Sequence, residues 1–82
     1  MKVWLVEIFV YNCDDEYGHI MNHYRENKVF DQKVKALNYM RNFGNLMKNE
    51  SKKWDFYYKY DVYPPTCTGD FHNESKITEI DL

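Results

Sequence analysis

The side chains best suited to hold a metal or attack a substrate are Cys13, Cys67, His19, His23 and His72. A zinc site needs four ligands at one point, usually supplied by short-spaced pairs. His19 and His23 are four apart. That spacing brings two imidazoles together on a helix but leaves them roughly 13 Å apart on a strand. Their segment reads as a strand, and neither cysteine has a second cysteine nearby, so no metal is expected. Asp14, Asp15 and Glu16 are consecutive carboxylates. A calcium loop alternates its ligands around a turning glycine, so this run reads as a solvated loop. Cys67 and His72 are the nearest thiol–imidazole pair in sequence, but a thiol becomes a nucleophile only beside an oriented base. The three glycines, Gly18, Gly44 and Gly69, are isolated and build no phosphate-binding loop. The expectation is a non-enzymatic protein without a cofactor.

Two groups of residues are suited to binding instead. Residues 25–59 carry nine Lys or Arg against four Asp or Glu, whereas residues 1–24 and 60–82 are acidic and the whole chain sums to −2. Basic side chains interleaved with aromatic rings can follow a phosphate backbone and stack bases. Lys33, Lys35, Arg41, Lys52 and Lys53, with Tyr39, Trp54, Tyr57 and Tyr58 among them, form the nucleic-acid-binding candidate. No helix-turn-helix, zinc-finger or RNP-type motif accompanies them. The second group is aromatic: eight Tyr, five Phe and two Trp in 82 residues. Each such ring buries roughly 150–250 Å², more than enough to close the core of one small domain, so some rings are available for contact with a partner.

The elements that must position these residues follow from periodicity. Val3–Tyr11 is β-branched and aromatic almost throughout and reads as a central strand, apolar on both faces. Trp4, Val6, Ile8 and Val10 share one face; Val3, Leu5, Glu7, Phe9 and Tyr11 share the other. A polar break at 12–16 leads to a second, edge-like strand within 17–30. Asp31 suits a helix N-cap. Ala36, Leu37, Met40, Phe43 and Met47 form a helical stripe, and Gly44 either stops that helix or lies within it. Residues 54–63 alternate Trp54, Phe56, Tyr58, Tyr60 and Val62 with Asp55, Tyr57, Lys59, Asp61 and Tyr63, the period of a strand. Pro64 and Pro65 end it. Residues 66–75 read as a polar loop and 76–82 as a short last strand.

The expected fold is a single α+β domain over residues 1–82. It has a mainly antiparallel sheet in the order β-β-α-β, a further C-terminal strand, and one helix on one face. Residues 64–82 are expected to be a partly irregular tail. One helix covers one face, so the face of Phe9 and Tyr11 needs another cover: the tail, a second copy in a homodimer, or a foreign partner. With Tyr57 and Tyr63 added from the alternating strand, the expected partner-binding set is Phe9, Tyr11, Tyr57, Lys59, Asp61 and Tyr63.

No run approaches the roughly 20 apolar residues of a membrane span. The first apolar run contains Glu7 and ends without a small-residue cleavage site, so a cytoplasmic location with reduced thiols is expected. Lys, Asn, Tyr, Phe and Ile are abundant and Ala36 is the one alanine, a bias that fits an AT-rich genome. In composition the chain resembles small early proteins of phages and mobile elements, which often block a host protein stoichiometrically. The leading expectation is a protein-binding module, an inhibitor or regulator of a host protein or complex (an anti-defence or host-takeover type). The alternative is a small nucleic-acid binder using the basic helix and loop, and the third is a structural or homo-oligomeric role.

Overall fold

A computed structural model describes residues 1–13, 20–62 and 70–82. The order of elements is β1 (Lys2–Cys13), β2 (Ile20–Phe30), α1 (Lys33–Lys48), α2 (Glu50–Lys59) and β3 (Asp70–Asp81). The fold is α+β, a three-stranded antiparallel sheet with two helices. β1 lies in the middle, paired with β2 on one side and β3 on the other.

β1 takes the centre because it is the one strand apolar on both faces. Val6, Ile8 and Val10 are buried beneath the helices, with Trp4 packed against them. Full burial of each such aliphatic side chain contributes roughly 1.5–3 kcal/mol. β1 also continues through Asn12 and Cys13, where a polar break was expected. Asn12 is fully buried, and neither of its amide atoms has a hydrogen-bond partner among the described residues.

α1 begins one residue later than expected. Gln32 occupies the N-cap without a side-chain bond, while the Asp31 carboxylate pairs with Lys35 at 3.2 Å. The helix runs through Gly44 to Lys48. Its buried face contains Ala36, Met40, Phe43 and Met47, joined by Tyr39 and Leu46, whereas Leu37 is left 43% exposed.

The largest departure from expectation is at residues 54–63. There is no strand at 54–60: Glu50–Lys59 is a second helix, so the order is β-β-α-α-β and two helices cover the sheet. Asn49 ends α1 and opens α2, its side-chain oxygen accepting the Lys52 amide at 3.0 Å. The far end is closed by a Schellman arrangement, with the Asp61 amide donating to Tyr58 O and the Val62 amide to Tyr57 O. Asp61 carries the left-handed φ of 57° that such an ending requires, and Val62 is fully buried against the core. The aromatic residues of this segment occupy so many positions that both periods fit them. The helical one wins because Trp54, Tyr57, Phe56 and Tyr60 then share one inward side, leaving Asp55, Tyr58 and Lys59 exposed.

The C-terminal strand is also longer than expected. Residues 70–75 extend β3 instead of forming a loop, and β3 widens the sheet rather than crossing its second face. Its polarity reflects an edge position, where most side chains meet water. Phe71 and Ile77 turn to the helix side and join the core there.

Candidate functional site

Cross-strand register defines the second face of the sheet. Val3, Leu5, Glu7, Phe9 and Tyr11 of β1 are flanked by His23, Arg25, Asn27 and Val29 of β2, and by His72, Glu74, Lys76, Thr78 and Ile80 of β3. None of these residues belongs to the core cluster, and both helices lie on the opposite face. Among the described residues nothing packs on this side. Val29 is 60% exposed there.

The middle of the face is a band of rings running across all three strands. Phe9 and Tyr11 stack with centroids 4.7 Å apart. His23 meets the edge of Phe9 at 5.9 Å, and His72 stacks on Tyr11 at 5.1 Å. The Arg25 guanidinium lies 4.2 Å from the Phe9 centroid, in cation–π range. The Tyr11 hydroxyl donates to Glu74 at 3.2 Å. Desolvation, reinforced by the Glu74 carboxylate, raises the Tyr11 pKa above its ordinary value. Phe9 and Tyr11 are half-buried, with Arg25 over the one ring and His72 stacked on the other, so the band is a row of packed rings bordered by one cation and one anion.

The expected partner-binding set is divided by the fold. Phe9 and Tyr11 stand on the open face. Tyr57 is on the other side of the sheet, 3% exposed and stacked on Phe71 at 4.7 Å, so it is a core residue. Lys59 and Asp61 are exposed at the end of α2, with the Lys59 ammonium 5.3 Å from the Tyr60 ring. Tyr63 lies outside the described residues. His23, Arg25, His72 and Glu74 were missed as companions of Phe9 and Tyr11. The alternation of β2 and β3 contained the signal, but only a pairing register could align it with β1.

The basic candidates lie on the helices. Lys33, Lys35 and Arg41 are exposed on α1 and Lys52 on α2. Lys35 is engaged by Asp31, and half-buried Lys53 by Glu50 at 3.2 Å. Local ion pairing thus reduces the positive field expected from the sequence.

No group of three or more metal-ligating side chains occurs among the described residues. His23 and His72 both pair in register with Tyr11, one from each side. They are two strand spacings apart, roughly 9.6 Å, with a phenol ring between them. Cys13 is a free thiol at the end of β1, whereas Asp14, Asp15, Glu16, Gly18, His19, Cys67 and Gly69 lie outside the described residues. No described helix is long and apolar enough to cross a membrane. Comparison of the chain with protein-family models, curated proteins and solved structures finds no match.

Proposed function

We propose that this protein is a non-enzymatic binding module that captures a partner protein on the open face of its sheet and acts on it stoichiometrically, as an inhibitor or regulator. The observation that supports this reading is the ring band of Phe9, Tyr11, His23 and His72, on a face with no described cover. Contiguous apolar surface of this kind commonly marks a contact site. Tyrosine and arginine at the centre of such a patch are the residue types that dominate binding energy. The mixed charges around it, Arg25 and Lys76 against Glu7 and Glu74, suit the polar rim of a protein interface.

A second reading has its own support. A stacked row beside an arginine also suits the bases of single-stranded nucleic acid. It would move the nucleic-acid surface from Lys33, Lys35, Arg41, Lys52 and Lys53 to the sheet. The two carboxylates on the face weigh against it, because they would repel a phosphate backbone.

The test is a pull-down from lysate, with and without nuclease, using wild type and a Phe9→Ala/Tyr11→Ala variant shown by circular dichroism to be folded. A protein recovered stoichiometrically by wild type after nuclease, and lost in the variant, supports the proposal. Recovery that is abolished by nuclease, or that weakens steeply with salt in both preparations, transfers the assignment to nucleic acid. Equal recovery by both proteins removes the open face from the account.

A further inference from the structure

On the helix side of the sheet, a cleft of about 490 Å³ opens between α1, α2 and the floor formed by Ile8 and Glu26. Its size falls within the roughly 300–1,000 Å³ typical of small-molecule sites. Rings form its walls: Tyr39 and Phe43 from α1, Phe56 and Tyr60 from α2 and its end. Phe56 lies 4.7 Å from Tyr60 and 6.2 Å from Phe43, so the rings form a continuous lining. Tyr24 packs behind them, 4.2 Å from Tyr60.

Glu26 is the polar group at the floor. It is half-buried on β2, and its carboxylate accepts one hydrogen bond from the Tyr24 hydroxyl at 2.7 Å and another from the Tyr39 hydroxyl. Two neutral phenols fix its orientation without cancelling its charge. A carboxylate offers about four lone-pair positions, so roughly half remain open. The ion pairs of the described residues are Met1–Asp81, Lys2–Glu79, Lys35–Asp31 and Lys53–Glu50, and none involves Glu26. Lys28, on the same strand, sits 4.8 Å from the face of Tyr39. The remaining charges on the cleft are Lys52, Asp55 and Lys59, exposed along one side of α2 at its mouth.

A half-buried, oriented anion at the base of an aromatic-lined cleft has the chemistry of a cation site. Ring faces attract ammonium groups through their quadrupole, and a charge-assisted hydrogen bond to the carboxylate adds direction. We propose that this cleft binds a small organic ammonium compound with an apolar or aromatic body. The ammonium group donates to Glu26, and the body lies among Tyr39, Phe43, Phe56 and Tyr60. This site is separate from the open sheet face and does not depend on the function proposed for it.

The experiment is an NMR titration of the full chain with three probes of matched shape: phenethylammonium, neutral 2-phenylethanol and anionic 3-phenylpropionate. Saturable shifts of the Tyr39, Phe43, Phe56 and Tyr60 rings are expected, with the ammonium probe binding about tenfold tighter than the alcohol. Glu26→Gln should abolish that preference and leave the alcohol unaffected. Asn42→Trp, a bulky ring at an exposed lining position, should block the cleft with Glu26 intact; it serves as the decisive variant if Glu26→Gln fails to fold. Equal affinity for ammonium and alcohol would overturn the proposal, as would tighter binding of the anion through Lys52 and Lys59. Absence of saturable shifts, or undiminished ammonium binding by folded Asn42→Trp, would do the same.

Discussion

Tyr57 and Tyr58 are adjacent and chemically identical, yet the fold assigns them opposite fates. Tyr57 is 3% exposed, stacked on Phe71 at 4.7 Å and in edge contact with Trp54 at 5.4 Å. Tyr58 is 55% exposed. Replacing a buried large aromatic by alanine costs about 3–5 kcal/mol through lost transfer energy and the cavity left behind. An 82-residue domain has roughly 4–12 kcal/mol of stability in total. Tyr57→Ala therefore removes about a quarter or more of that stability. Tyr58→Ala, which leaves no cavity, should remain within about 1 kcal/mol of wild type. Urea unfolding followed by circular dichroism measures both. With a slope of about 1–2 kcal/mol per molar for a chain this small, the Tyr57→Ala midpoint should fall by about 1.5 M or more, while the Tyr58→Ala midpoint moves by well under half as much. The reverse pattern, a damaging Tyr58→Ala and a harmless Tyr57→Ala, would refute the helical assignment. It is what a strand with Trp54, Phe56 and Tyr58 facing inward demands.

Three further outcomes follow from local geometry. Gly44 lies inside α1 with nothing within 4 Å of where a Cβ would sit, so Gly44→Ala should stabilise the protein by about 0.5–1 kcal/mol in the same urea assay. Asn49→Ala removes the side-chain acceptor for the Lys52 amide and should cost about 1 kcal/mol, while Asn49→Asp should keep most of it. Burial, then the hydroxyl bond to Glu26, pushes the Tyr39 pKa up to about 12, against about 10 in an unfolded chain. The folded state thus holds this proton more tightly. Its contribution to stability is complete below about pH 10 and disappears as pH rises through 12. Phenolate absorbance of the native protein should report the delayed ionisation, and Glu26→Gln should bring it to lower pH; ionisation of Tyr39 at its ordinary pH would contradict the assignment.

The sheet was legible where composition and period agreed. Val3–Tyr11 combines β-branched residues with apolar character on both faces, and only a central strand satisfies both. The face bearing Phe9 and Tyr11 was likewise readable from the parity of β1. α2 was hidden because its signals are atypical. Aromatic rings at 54, 56, 57, 58 and 60 satisfy a twofold period as well as a helical one. The helix ends on Asp61 in the left-handed conformation where glycine is the usual marker. Asn49, which opens it, stands in a polar stretch that reads equally well as a loop. The rest of the open-face site required a register. Nothing in the spacing of His23, Arg25, His72 and Glu74 indicates that they flank Phe9 and Tyr11, because pairing between distant strands is a tertiary property.

The position of β1 also governs how the molecule can assemble. The strand that occupies the middle of the sheet precedes both its neighbours, and one of them, β3, follows only after β2 and both helices. Lys2 pairs with Asp81, and the backbones of Met1 and Leu82 hydrogen-bond to each other at 2.6 and 3.0 Å. The β1–β3 seam is thus built from contacts of the longest sequence separation, the kind that slows folding because the entropy of bringing distant segments together is lost before they gain contact. During synthesis the hairpin of β1 and β2 and both helices leave the ribosome before β3. Until it arrives, one edge of β1 remains unpaired, a template for any extended segment nearby. The twelve residues of β3 thus close an edge that the rest of the fold leaves open.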